Sequence, residues 1–473
     1  MKPPSYDLHS LTFSCYHLRN IESLSYEKKD VHYATSVIDA DEGTNDGNWV
    51  VIESLLEQAG ISKDSHSKYL LLVHGDLSTK EKVEAIKKYR VIEKNEYNRL
   101  DFILIIPGLF HLKMALVDAI WRIHVQPKEN QSEPLGVLEC IHHLRPKSTG
   151  EFTNKNGPCF RSMHDVIHHL AWANILECWS ERVKEKKGVA SLKEWAQKEP
   201  TWEEIVELSE CIGQKHLPCN DFPETRESNT RTRDYVFENT QLLNHHCLLY
   251  LELCRAMNHG DVGRILELFP YMIAIFSATG KHKYAAHMAR FIANLKRVYP
   301  KRLRDTVLRN WLYNEKGQPD TFRAFDWLQE RNNLYTKVVF AGEGVNRTKA
   351  LVMKRSPLLG VYRSLQSTIE ESFYLTHRTV RHSNPDMTKT IQKLRVHLAA
   401  LKAHTFQADR TTSIKDSSRK WVVMDAVTKG FEKLQSRKDL YGTGGTNANS
   451  EDNEGTEEDD EIGEITGDDI GAE

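Results

Sequence analysis

Residues 69–116 read YLLLVHGDLSTKEKVEAIKKYRVIEKNEYNRLDFILIIPGLFHLKMAL, and this stretch decides the fold. Residues 69–73 and 102–106 are short apolar runs of strand length, and the second ends at Pro107-Gly108. Between them, apolar residues recur at helical spacing, and Ser78 with Glu81 forms an S-x-x-E capping-box pattern. Strand, helix and strand at this spacing predict a parallel βαβ unit.

Asp76 follows the first predicted strand directly, at the entrance to the helix. Open α/β sheets place their ligand sites at the carboxyl ends of the strands, so this carboxylate is a candidate metal ligand. The same position also suits a turn residue whose side chain caps the helix. The sequence leaves both interpretations open.

Composition limits the class of protein. The chain has 473 residues, enough for two or three structured regions, and its 40% hydrophobic and 27% charged residues are typical of a soluble globular protein. No apolar run approaches the ~20 residues of a membrane span, and no apolar signal core follows Met1. The eight cysteines form no C-x-x-C pair. We therefore predict reduced thiols in an intracellular protein.

The small net charge of −2 conceals an uneven distribution. Residues 439–473 contain 13 of the 66 acidic residues and no lysine or arginine, which leaves 53 acidic against 64 basic residues in the body, an excess of 11 positive charges. A moderately basic body is compatible with contact to nucleic acid. The acidic tail has too few apolar residues to bury, so we predict that it is disordered.

Helical periodicity dominates the remainder. We predict a long helix over residues 160–187 that ends at Gly188, and further helices over residues 195–211, 321–330 and 388–404. Residues 334–340 are predicted as a short strand. The apolar seam of the helix over 388–404 favours packing against other helices over reading DNA.

His164 and His168 are four residues apart and share a helix face, as two ligands of a metal ion do. The motif H-D-V-I-H has Asp165 where zinc proteases have glutamate, which argues against that enzyme class. Further ligands are available downstream, although packed or surface histidines explain the same residues. These downstream candidates are His245, His246, Cys247 and Cys254.

Five ordered segments resemble a family of domains of unknown function that is abundant in mushroom-forming fungi, over about residues 40–435. They are SKYLLLVHGDLSTKEKV (67–83), RLDFILIIPGLFHLKMALVDAIWRIHV (99–125), LRPKSTGEF (144–152), GDVGRILELFPYMIAIFSATGKHKYAAHMARF (260–291) and FRAFDWLQERNNLYTKV (322–338). Members of this family look like transposon-derived products. The family is similar in outline to transposases that have an RNase H-like core interrupted by a helical insertion.

The resemblance implies an α/β, predominantly helical fold with a partial RNase H-like core and a large α-helical insertion. The expected divisions follow the chain in order. They are an irregular segment (1–60), the βαβ half of the core (61–125), the helical insertion (126–312), a core-closing helix with a C-terminal helical region (313–437) and the disordered acidic tail (438–473).

The resemblance also implies a site. It places Asp76 and Glu330 as catalytic, metal-binding carboxylates, with Asp326, one helical turn earlier, as the alternative ligand. Such sites hold Mg²⁺, which activates the attacking oxygen and stabilises the leaving oxygen of a DNA phosphodiester. An active protein of this kind is a DNA strand transferase or nuclease.

One expected element is missing. Family members have an upstream strand with an Asp-Asn pair that supplies the first acid, and Asp7, in SYDLHS, does not match it. We therefore expect a chain truncated at its N-terminus, with poor Mg²⁺ binding and impaired catalysis. We expect DNA as a partner and the nucleus as a location, and the alternative is a non-catalytic, protein- or DNA-binding helical scaffold. The oligomeric state stays open.

Overall fold

The computed structural model describes twelve ranges of the chain. They are residues 22–27, 29–33, 35–62, 66–126, 133–147, 149–153, 157–219, 222–227, 232–340, 348–374, 386–412 and 422–436. The predicted acidic tail (438–473) and Asp7 lie outside the described residues.

The described residues are predominantly helical, as predicted. In chain order the first nine helices are α1 (Asn45–Gln58), α2 (Leu77–Tyr89), α3 (Glu96–Arg99), α4 (Leu109–His124), α5 (Val137–Leu144), α6 (Phe160–Lys187), α7 (Leu192–Ala196), α8 (Trp202–His216) and α9 (Phe222–Glu227). The remaining ones are α10 (Tyr235–His259), α11 (Val262–Ala278), α12 (His282–Ala293), α13 (Lys301–Arg309), α14 (Phe325–Phe340), α15 (Lys349–Arg355), α16 (Leu359–Ser372), α17 (Thr388–Ala400) and α18 (Ala426–Ser436). Among these elements, none of the helices has the length and hydropathy that a membrane crossing requires.

The predicted βαβ unit is present. Strand β1 (Leu71–Gly75) pairs in parallel with β2 (Ile103–Pro107), in a register that places Leu71 opposite Ile103 and Gly75 opposite Pro107. Helix α2 connects the two strands. Strand β1 lies two residues and β2 one residue further along the chain than predicted, so β1 ends directly before Asp76.

The predicted capping box at the start of α2 is wrong. The helix begins at Leu77, so Ser78 is already inside it, and Asp76 is the N-cap residue. Its Oδ1 accepts a hydrogen bond from the Thr79 backbone N–H at 2.7 Å. Glu81 instead faces α12, where it pairs with Lys283 at 3.5 Å.

Two other predicted boundaries changed. The single helix expected over residues 195–211 is divided into α7 and α8, because Pro200 interrupts it and Thr201 starts α8 with a true capping box to Glu204. The strand expected over residues 334–340 is instead the end of α14, and the β-branched pair within it, Val338 and Val339, is exposed on the helix. The helix over 160–187 with its stop at Gly188 (φ 63°) is confirmed.

A second strand pair precedes α14. Strands β3 (Leu312–Tyr313) and β4 (Arg323–Ala324) are antiparallel, and α14 follows β4 without a break. The described residues thus contain two separate two-stranded sheets, and they do not show an RNase H-like core.

One hydrophobic core connects distant parts of the chain. Its buried members run from Ile106 at the end of β2, through the helices of residues 160–312, to Leu434 in α18. Helix α17 contributes Ile391, Leu394 and Leu398, which supports packing as the role of its apolar seam. Because this core crosses the predicted divisions, the helical region packs continuously onto the βαβ unit. The division into domains stays a prediction.

Replacing Gly430 by alanine should destabilise the protein, because the added Cβ would lie 1.9 Å from the Ala274 carbonyl oxygen, where α18 packs on α11. We expect the free energy of unfolding to fall by about 1–3 kcal/mol or more, measured by chemical denaturation. The matched control is Gly360→Ala, also inside a helix but facing open space, which should be neutral or stabilising by up to about 1 kcal/mol. Equal losses in both variants would contradict this packing.

Candidate functional site

Asp76 has one of the two roles that the sequence left open, because it caps α2. Its Oδ1 accepts the Thr79 N–H and caps α2. Its Oδ2 forms no hydrogen bond or ion pair with any part of the chain that the structure describes, and the side chain is only partly buried. The cap and a cation therefore do not compete for the same oxygen atom.

Asp326 lies at the start of α14 and caps a different helix. Its Oδ1 accepts the Phe110 N–H at 3.1 Å and its Oδ2 accepts the His111 N–H at 2.9 Å, so the buried carboxylate closes the N-terminus of α4. Burial opposes its ionisation, but His111 and these two N–H groups together hold the pKa of Asp326 below its ordinary value. The carboxylate of Asp326 is negatively charged, and a negative charge is stabilised at the N-terminus of a helix.

Gly108 makes this cap sterically feasible. A Cβ at this position would lie 2.3 Å from Asp326 Oδ2, closer than any real contact. The Pro107-Gly108 pair, read from the sequence only as the end of a strand, therefore also admits a carboxylate from α14. Trp311 strengthens the junction by donating from Nε1 to the Pro107 carbonyl oxygen at 3.0 Å.

His111 is the centre of the site. Its Nδ1 donates to Asp326 Oδ2 at 3.0 Å, and its Nε2 lies 3.9 Å from Glu330 Oε1. Burial disfavours the charged imidazole, but Asp326, Asp76 and Glu330 outweigh it and hold the pKa of His111 above its ordinary value. Carboxylates from both halves of the chain thus act on one imidazole. We call Asp76, His111, Asp326 and Glu330 the strand-end cluster.

Glu330 is held with a raised pKa in the strand-end cluster. Burial raises its pKa, and the negative charges of Asp326 and Glu42 add to this, against the opposing effects of His111 and a hydrogen bond to Asn333. The sequence analysis missed Glu42, because it lies in a polar loop and the composition of the loop does not predict which part of the protein the loop packs against. The Asn48 side chain holds this loop by donating to the Glu42 carbonyl oxygen at 2.7 Å.

His74, in β1, contacts the other side of α14. Its ring stacks on Phe325 with centroids 4.6 Å apart. Burial lowers the pKa of His74 to about 4, although Asp326 opposes this shift. The neutral ring is therefore a packing partner that orients α14 against the strand ends.

The three expected site residues all act electrostatically on His111, but they do not form a closed metal site. The described groups of three side chains whose ligand atoms all lie within 4.8 Å of one another do not include Asp76, Asp326 or Glu330. Both oxygens of Asp326 are engaged by α4 and His111. Of the three expected site residues, Asp76 and Glu330 are therefore the two whose carboxylates do not cap α4.

The histidine pair of α6 lies beside a third possible metal ligand. His164 and His168 meet Cys254 with ligand atoms within 4.8 Å. However, buried Lys113 acts on all three residues and lowers the pKa of both imidazoles, with burial as the larger cause. His164 Nδ1 is also engaged with the Tyr250 hydroxyl at 2.6 Å. A lysine so close disfavours a second cation.

The other histidines and cysteines named with this pair lie elsewhere. His246 Nδ1 is 2.8 Å from His124 Nε2, and Cys247 is buried with its pKa raised to about 12. His245 is buried in α10 beside His246. None of these three belongs to a described group that could hold a metal.

Comparison with known proteins gives a family and no function. A family model described as a family of unknown function (DUF6589) matches residues 11–382. This confirms the expected membership in a family of unknown function, over a range that starts earlier and ends earlier than the resemblance suggested. No curated protein and no solved structure matches the chain.

The pKa of His111 predicts a specific pH dependence. Because the folded-state pKa is raised above the ordinary 6.5, the stabilisation is fully present below about pH 6.5 and is lost as pH rises through the folded pKa. The free energy of unfolding of the wild type, minus that of His111→Asn, should therefore decrease with rising pH above about 6.5. Chemical denaturation across pH 5–9 measures this difference. A difference that does not change with pH would contradict the cluster's electrostatics.

Proposed function

Because the chain belongs to DUF6589, a family of unknown function, we propose its function from the strand-end cluster. We propose a transposase-related protein in which Asp76 and Glu330 bind a divalent cation, Mg²⁺, at a site for DNA phosphodiesters. The supporting observation is that two carboxylates from opposite ends of the family region act on the same His111 imidazole.

The chemistry of the donors supports this cation. Mg²⁺ prefers carboxylate oxygens and keeps several waters, so two carboxylates that are not fully engaged are sufficient to hold it. Asp76 Oδ2 has no partner among the described residues, and Glu330 carries a raised pKa in the company of other acids. A cation bound by them would reduce the repulsion among the carboxylates of the cluster. Without a cation, His111 is the positive charge that offsets this repulsion.

The arrangement favours one ion over two. Two-metal chemistry needs carboxylates that hold ions about 3.5–4 Å apart. Asp326, the expected alternative ligand, is committed to α4, and the third free carboxylate, Glu42, comes from an exposed loop. We propose that the chain retains cation and DNA binding, with strand transfer or hydrolysis much slower than in a complete two-metal site.

Mn²⁺, used as a spectroscopic probe for Mg²⁺, should bind with one equivalent per chain. Asp76→Asn and Glu330→Gln should each weaken the binding about tenfold or more, because each removes a charged oxygen ligand. Affinity should also rise with pH, since a protonated His111 repels the cation. Paramagnetic resonance of free Mn²⁺ measures all three effects.

The matched control is Asp101→Asn. Asp101 precedes β2, at the end of the strand pair that is opposite to the strand-end cluster, and pairs with Arg99 at 2.8 Å. This variant should bind Mn²⁺ as the wild type does. Equal affinities for wild type, Asp76→Asn and Glu330→Gln would refute the proposed site.

DNA binding is tested separately, with duplex DNA and the full chain. If basic side chains contact phosphates, log K should fall linearly with log salt concentration, with a slope near −0.9 per phosphate contact. Fluorescence anisotropy at several salt concentrations measures this slope. Binding without a salt dependence, or no binding at low salt, would argue against DNA as the partner.

A non-catalytic helical scaffold is the second candidate. The observation in its favour is Asp326, whose two oxygens serve the architecture of α4 and whose charge is balanced by His111. In a scaffold the strand-end cluster only joins α14 to the strands. The Mn²⁺ titration separates the two candidates, because a scaffold predicts no specific cation binding.

A further inference from the structure

Three side chains from distant parts of the helical region meet in the interior. Cys178 lies in α6, His216 is the last residue of α8, and His404 follows α17. All three are buried, with exposed fractions of 1–2%. Their ligand atoms lie within 4.8 Å of one another.

Two of these side chains carry polar atoms that the described protein does not satisfy. Neither ring nitrogen of His216 has a hydrogen-bond partner among the described residues, and the same holds for His404 Nε2. Buried polar atoms are nearly always paired, so an orphaned imidazole in a core calls for an explanation. Here the orphaned ring faces a thiol and a second imidazole.

We propose that Cys178, His216 and His404 form a Zn²⁺ site, which is independent of the strand-end cluster. Zinc binds thiolate at about 2.3 Å and imidazole nitrogen at about 2.0 Å, so two such ligands at a tetrahedral angle are about 3.5 Å apart. The observed distance from Cys178 Sγ to His404 Nδ1 is 3.4 Å. Three protein ligands leave the fourth tetrahedral position for water.

The surroundings suit a dication better than those of the other candidate groups. Glu177 and Glu181, on α6, act on Cys178 with negative charge. The two nearby cations, Arg182 and Lys215, are both paired with Glu185, at 3.1 and 3.0 Å. In contrast, the His164–His168–Cys254 group has buried Lys113 beside it.

The third candidate group is less well prepared. Glu139, His143 and His397 lie at the partly exposed surface, and His397 Nε2 is already engaged with the Pro134 carbonyl oxygen at 2.8 Å. An exposed group of this kind occurs often without a metal. The buried group is therefore the stronger site.

The protonation states fit zinc binding. Burial lowers the pKa of His216 to about 2 and that of His404 to about 3, so both rings are neutral and have lone pairs to donate at neutral pH. Burial keeps Cys178 a thiol in the absence of metal. Zinc then replaces the thiol proton, which is released to solvent as the Zn–S bond forms. The ion would connect α6, α8 and the segment after α17, so its binding should stabilise the fold.

The test uses the untagged full chain, stripped with a chelator and titrated with Co²⁺ as the optical probe for zinc. The wild type should develop a thiolate-to-cobalt charge-transfer band that saturates at one equivalent, and added Zn²⁺ should abolish the band and raise Tm. Cys178→Ser should lose the band, and His216→Asn and His404→Asn should weaken Co²⁺ binding at least tenfold.

Two matched cysteine variants control the assignment. Cys140→Ser removes a thiol as deeply buried as Cys178 but outside the three described metal-compatible groups, and Cys254→Ser disables the group beside Lys113. Both should keep the band. If circular dichroism shows that Cys178→Ser does not fold, the test uses the charge-transfer band of the wild type and the rise of its Tm with Zn²⁺. No band in the folded wild type, or a band lost in Cys254→Ser and kept in Cys178→Ser, would overturn the proposal.

Discussion

The N-terminus of α4 depends on a carboxylate from the other end of the family region. Helix termini leave backbone N–H groups without partners, and a buried terminus must find an acceptor. For α4 that acceptor is Asp326, which is 216 residues from Phe110 in sequence. The N-cap residue Gly108 cannot do this, because it has no side chain, and it has to remain small to admit the aspartate. The cap thus fixes where α14 lies.

The strand-end cluster follows from that cap. Once Asp326 is held on α4, Glu330 lies one turn further along α14. Asp326 then pairs with Nδ1 of His111, and Glu330 lies near Nε2 of the same ring. The charge of Asp76 acts on the same ring because β1 and β2 end at the same edge of a parallel pair. The side chains that hold the helices and strands together are therefore also the ones that form the candidate site. For this reason a structural and a cation-binding role have to be separated by experiment.

The sequence predicted what is decided locally. Helix α6 and its stop at Gly188 were foreseen because periodicity and a left-handed glycine act within a few residues. The short strand expected over 334–340 was wrong because Val338 and Val339 favour strands only where they are packed, and here they are exposed on a helix. Asp76 was a candidate because it follows a strand end, whereas Asp326 and Glu330 were named from resemblance to a family, and spacing alone did not indicate that the three act on one imidazole. Glu42 and the Cys178–His216–His404 group carry no local signal, because tertiary packing alone brings them together.

The long separation between α4 and its cap has a consequence during synthesis. A ribosome adds roughly 5–20 residues per second, so about 10–40 s pass between the emergence of α4 and that of Asp326. In that interval the apolar face of α4 and the ends of both strands have no α14 to cover them. The nascent βαβ unit therefore exposes these surfaces until α14 has been synthesised. Its docking against α14 cannot precede the synthesis of the far end of the family region.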